Sequence, residues 1–97
     1  SGFIGQLITH KDDQQIILRD DQSWLMDGMT PIGEVMKALD IDEFPERNQY
    51  ETLAGFMIFQ LKRLPRKTDF CLHSGYKFEV LDLEGVRVEQ LLVTRMQ

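Results

Sequence analysis

The sequence predicts an α+β domain, with two helices packed on a mainly antiparallel sheet. Three observations lead there. Residues 50–65 (YETLAGFMIFQLKRLP) carry apolar residues at helical spacing on more than one face. Residues 30–39 carry them on one face only. The remaining apolar runs alternate with polar residues at strand spacing and are separated by turn residues. The 97 residues are 42% hydrophobic and 28% charged, a composition that suits one domain with a thin core.

The chain opens with Phe3–Ile8, apolar but short, and a polar stretch from His10 to Gln14; residues 1–14 are expected to be an extension or linker and residues 15–97 the domain. Residues 15–19 (QIILR) and 24–26 read as strands, with Asp20-Asp21-Gln22-Ser23 as turn chemistry between them, so a β-hairpin is expected. Thr30-Pro31 has the pattern of a helix start, threonine as N-cap and proline in the first helical position. Ile32, Val35, Met36 and Leu39 follow at i, i+3, i+4 and i+7, an amphipathic helix. An acidic loop runs from Asp40 to Glu46, with Ile41 and Phe44 as apolar anchors.

The second helix has two candidate starts. Asn48 with Glu51 forms a capping-box pattern, and Thr52 is the rival. Leu53, Met57, Leu61 and Leu64 share one face, and Ala54, Phe56, Ile58 and Phe59 widen it until two covered sides are expected. Pro65 disfavours helix at Leu64, so the helix is expected to run to that point, with Lys62 and Arg63 in its last turn complementing the dipole. Ala54-Gly55 predicts close approach of another backbone. Three strands complete the chain: Phe70–His73, then Tyr76, Phe78 and Val80 in alternation, then Val86 and Val88. The apolar phase slips to Leu91 and Val93, which predicts a β-bulge near Glu89–Gln90.

Charge and cysteine content narrow the function. A formal net charge of -5 argues against generalised nucleic-acid or anionic-membrane binding. The single cysteine, Cys71, rules out an internal disulfide and suits a reducing compartment. No run is long enough to span a membrane and no signal peptide is evident. Ser1-Gly2 has the look of a cloning remnant, so the chain reads as a domain cut from a longer protein.

No catalytic constellation emerges. Cys71 and His73 share a strand face, but a metal needs three or four ligands and His10 is the only other histidine. Side chains at i and i+2 run parallel, which does not make a nucleophile–base pair. Asp40, Asp42 and Glu43 are the candidate hard-cation ligands, although the spacing is not that of an EF-hand and a solvated loop is the plainer reading. Trp24 is a candidate stacking residue for a flavin or adenine ring, with a core role as the alternative. Arg19, Arg63, Arg87 and Arg95 are candidate phosphate ligands, and the helix starts at Thr30-Pro31 and near Asn48 are candidate anion sites. No Gly-rich phosphate motif is present.

Three ordered segments resemble one family. Residues 21–32 (DQSWLMDGMTPI) resemble its D-G-S-W-L-V-D-G-x-T-P-I signature, with Gln22 in place of glycine. Residues 52–56 (TLAGF) followed by Arg63-Leu64-Pro65 resemble its T-L-A-G helix ending in R-(L/I)-P. Residues 76–82 followed by Val86-Arg87-Val88 resemble its closing hairpin. The family is the transporter-associated CorC/HlyC domain. The resemblance implies a non-catalytic accessory or regulatory domain of a bacterial ion-transport protein, of the magnesium/cobalt efflux or hemolysin-related kind. It implies neighbouring CBS domains and a membrane domain in the parent chain, a place on the cytoplasmic face, and a parent in the bacterial inner membrane. A homodimer is a further expectation, drawn from exposed sheet edges; no nucleic-acid partner and no membrane insertion by this segment are expected. The fold is similar to a subdomain of FAD-binding oxidoreductases. That similarity raises FAD as a cofactor and, as the alternative function, a binding domain for FAD or an adenine nucleotide.

Overall fold

The computed structural model describes residues 15–96. The expectations for residues 1–14 lie outside the described residues. Five strands and two helices follow in the order β1 (Ile16–Asp20), β2 (Ser23–Asp27), α1 (Ile32–Leu39), α2 (Leu53–Leu61), β3 (Phe70–His73), β4 (Tyr76–Glu84) and β5 (Arg87–Arg95). A single 3₁₀ turn at Arg47–Gln49 precedes α2. The α+β class holds.

The strands form one antiparallel sheet in the order β1-β2-β5-β4-β3. The N-terminal hairpin and the C-terminal meander are therefore joined through β2 and β5, where Trp24 faces Val93 and Met26 faces Leu91. Alternation puts Trp24, Met26, Phe78, Val80, Val88, Leu91 and Val93 into the core with α1 and α2. The phase slip seen in the sequence is a real irregularity. Val80 pairs with Leu91, Asp82 with Gln90 and Leu83 with Val88, so Leu81 on β4 and then Glu89 on β5 are each skipped.

Helix α1 buries Ile32, Val35 and Leu39 of the predicted stripe, with Met36 half-buried beside them. Its start differs from the expectation: Pro31 occupies the N-cap and Thr30 does not cap. The buried Thr30 hydroxyl instead donates to Asp27 O at 2.6 Å, which stitches the strand end to the helix start. Helix α2 starts at Thr52, whose hydroxyl accepts from Gly55 N at 3.2 Å. The Asn48 alternative fails because Asn48 sits in the 3₁₀ turn and Tyr50 is extended. The helix also ends three residues earlier than Pro65 suggested. Lys62 is left-handed at φ 61° and its N–H donates to Ile58 O, so Lys62 caps the helix and Arg63 lies beyond it.

Ala54 has the expected cause, whereas Gly55 faces the Tyr50 side chain, whose Cβ would lie 3.0 Å from a Cβ on Gly55. Gly28 N donates to Glu89 O at 3.0 Å and Ala54 N donates to Gly28 O at 2.8 Å. The turn at Gly28 is thus wedged between β5 and α2. A Cβ on Gly28 would lie 2.0 Å from Val88 O. Phe44, Tyr50, Phe56 and Phe78 form an aromatic cluster around the base of α2, with Phe44 and Phe56 centroids 4.8 Å apart.

Candidate functional site

The two helix starts lie side by side, and most of their first N–H groups are already taken by protein acceptors. Ile32 N donates to Glu51 O at 3.0 Å, Leu53 N to Thr30 O at 2.9 Å, and Ala54 N to Gly28 O. Pro31 and Thr52 form an antiparallel bridge between them. An anion would have to displace these bonds, which leaves few open donors for a phosphate at either start.

Trp24 is 9% exposed and meets the Tyr76 ring edge-on at 5.8 Å between centroids. Its flat faces are inside the core, away from any flavin or adenine. The arginines are dispersed. Arg19 is exposed on β1, a sheet edge. Arg63 is forked onto Asp69 at 2.7 and 3.1 Å. Arg87 pairs with Glu89 at 2.6 Å and Glu84 at 3.3 Å. Arg95, at the other end of β5 and about 26 Å from Arg87 by strand rise, donates to the Tyr76 hydroxyl at 3.2 Å. These residues do not fit FAD as they stand.

Cys71 and His73 do share the inner face of β3, but each is used in packing. The Cys71 thiol reaches Met57 Sδ at 3.6 Å, and burial pushes its pKa up to about 12. His73 Nε2 lies 2.9 Å from Glu43 O, which can only accept, so this nitrogen carries the proton. Its ring leans on Phe44 at 4.5 Å. His73 therefore anchors the acidic loop to the sheet, a role that sequence spacing did not reveal.

The acidic residues line an opening in the surface. A cleft of about 600 Å³ lies between the acidic loop and the β3–β4 turn, with Asp40, Asp42 and Glu43 on one side and Tyr76, Arg95 and Met96 on the other. Tyr76 closes its floor by donating to Leu39 O at 3.0 Å, which ties the end of α1 to β4. An apolar cleft of about 280 Å³ adjoins it across Ser74–Tyr76, lined by Leu72, His73 and Met96. The larger cleft can pair ions. Among the described residues, no three His, Cys, Asp or Glu side chains gather closely enough to hold a metal. Among them, too, no helix is long and apolar enough to cross a membrane.

Comparison with known proteins fits this geometry. The model of the Transporter associated domain, CorC_HlyC, matches residues 18–97. A polyamine export protein of Salmonella typhimurium is 53% identical over 94 residues, which covers 97% of this chain and 21% of that protein. One from Haemophilus influenzae is 44% identical over 91 residues, 94% of this chain and 21% of its own length. The chain thus spans about a fifth of these relatives. Among solved structures, the CorC_HlyC domain from Haemophilus ducreyi is 49% identical with a TM-score of 0.71, covering 77% of this chain and 97% of that one. The corresponding domain of a Xylella fastidiosa Temecula1 hemolysin, solved in complex with Mg++ and Mn++, is 34% identical with a TM-score of 0.77, covering 86% and 99%. The chain belongs to the CorC/HlyC family of transporter-associated domains.

Proposed function

We propose that this chain is a non-catalytic accessory domain of a bacterial membrane exporter, acting through contacts with the rest of that protein. The carrying observation is the match over 97% of the chain to a polyamine exporter of which it makes up 21%. The geometry supports the same reading. Cys71, His73, Arg63, Arg87 and Arg95 are all held in contacts internal to the fold. None of them is paired as nucleophile and base. In this reading residues 1–14 lead in from the parent chain, whose CBS and membrane domains are the partners, and the domain lies on the cytoplasmic face of the inner membrane. The cargo is a polyamine, in preference to magnesium or cobalt.

The test uses the full-length parent with and without residues 15–97. Efflux of putrescine, spermidine, magnesium and cobalt is followed from preloaded cells, with membrane levels of both forms matched. Altered polyamine efflux on deletion supports the reading. Unchanged efflux of all four cargoes overturns it. The alternative FAD or nucleotide site is tested by thermal shift on the 97-residue chain. A ligand at a hundredfold its dissociation constant adds about 2.7 kcal/mol, a shift of roughly 10 °C or more in a domain of this size.

A further inference from the structure

The loop between α2 and β3 lines neither of the clefts described above. Lys62, Arg63, Arg66 and Lys67 fall within six residues and make up four of the chain's eleven cations. All four are exposed. Leu64 stands among them with 56% of its surface open, while Pro65 is buried beneath. The loop is also rigidly held. Asp69 accepts the Arg63 fork and, at 2.8 Å, Arg66 N; Asp69 N returns to Arg66 O at 3.0 Å, and Thr68 N reaches Val80 O at 2.9 Å. Its shape is fixed before any partner arrives. The exposed Phe70 ring follows it, with Lys77 Nζ 4.7 Å from the ring centroid.

We propose that this loop is a docking surface for anionic lipid headgroups. A cluster of four Lys and Arg attracts an anionic leaflet, and an apolar tip among the cations is the pattern of interfacial binding. The patch is open to solvent, with all four cations and Leu64 exposed, and its residues line neither of the two clefts described above. A bilayer surface receives such a patch without needing a matching cavity. Two carboxylates face the patch: Asp69 on Arg63 at 2.7 Å and Asp82 on Lys67 at 3.8 Å. Four cations against two acids leave it positive.

The net charge of -5 does not cancel this attraction. The acidic loop packs by Tyr76, at one end of β4, whereas the basic loop meets Val80 and Asp82. Strand rise separates them by roughly 13–20 Å, more than the Debye length of about 10 Å at ordinary ionic strength. The domain has a basic pole for the bilayer and an acidic pole turned from it. This goes beyond the accessory reading, because it fixes which side faces the membrane.

Co-sedimentation of the 97-residue chain with large unilamellar vesicles tests the proposal. One set contains phosphatidylglycerol in phosphatidylcholine and the other phosphatidylcholine alone, each at low and high salt. Greater binding to the anionic vesicles, lost at high salt, is expected. Arg66→Glu with Lys67→Glu leaves the Arg63–Asp69 clamp in place, and should lower partitioning by about tenfold or more. Leu64→Ala should weaken binding while leaving its salt dependence unchanged. Circular dichroism checks that each variant folds. Equal binding to the two vesicle types, no binding to either, or binding unaffected by the charge reversals would overturn the proposal. Binding to polyglutamate but not to vesicles would overturn it in favour of an acidic protein partner. No transport is read in this assay, so the docking and accessory readings can fail separately.

Discussion

At the scale of single residues, Gly28 is the most constrained position. Its missing side chain lets β5 and α2 close on the turn after β2, and a Cβ would meet Val88 O at 2.0 Å. The β5 backbone at Val88 must move to admit one, whereas Ala54 Cβ on the α2 side lies at an ordinary 3.4 Å. Gly28→Ala is therefore expected to cost roughly 3 kcal/mol, read as a lower urea midpoint with little change in slope. Cys71 gives a chemical readout. Its thiol, pushed up to about 12 by burial, stays protonated near neutrality. Alkylation by iodoacetamide should be slow in the native domain and speed up sharply in urea; equal rates would mean the thiol is open. Two carboxylates set the response to acid. Asp69 is lowered first by the Arg63 guanidinium and then by Arg66 N, and Asp20 first by Gln22 N and then by the Ser23 hydroxyl. A pKa lowered in the fold means the unfolded chain takes up the proton more readily. The stability these groups add is present above pH 4 or so and drains away as pH falls through their folded values. The urea midpoint should fall over that range, and Asp69→Asn should flatten the fall. A midpoint that rises on acidification would contradict this assignment.

At the scale of elements, most of what the structure contains was legible, and the failures lie where distant residues decide. The bulge was readable because the step from Val88 to Leu91 breaks a period of two that nothing else in β5 breaks. The start of α2 was not settled locally, because Asn48 and Thr52 both have cap chemistry. The bridge between Thr52 and Pro31, twenty-one residues earlier, settles it. The end of α2 was misplaced because the rule for residues before proline sets the furthest reach of a helix, not its stop. Lys62 turns left-handed first, which frees Arg63 to reach Asp69. Thr52→Ala removes the cap on Gly55 N and is expected to cost about 1 kcal/mol, a drop in melting temperature of about 4–8 °C. Asn48→Ala, by contrast, should leave the melting temperature nearly unchanged; the reverse order would restore the capping box at Asn48.

For the whole molecule, fold class and family were within reach of the sequence, and the candidate site was much less so. Three motifs in fixed order carry the family, and alternation carries the sheet. The candidate ligand residues were chosen by chemical type, and type does not encode where a side chain points. Trp24 went into the core, Arg63 and Arg87 went to separate carboxylates, Arg19 to an exposed sheet edge, and only Asp40, Asp42, Glu43 and, across from them, Arg95 line one cleft. The grouping of cations in the 62–67 loop was visible in the sequence, but a chain-wide net charge averages it away.

The sheet order has one more consequence, and it concerns the making of the domain. Among the described strands, the last in the sequence lies in the middle of the sheet. Until residues 87–95 emerge from the ribosome, β1–β2 and β3–β4 are separate hairpins, each with a naked inner edge and an apolar face. Isolated hairpins are marginal in water. The nascent chain therefore waits, sticky and incomplete, and a single late strand converts it to the native sheet in one cooperative event. A premature stop anywhere before Arg87 would release a product fit for aggregation or proteolysis, not a smaller working domain.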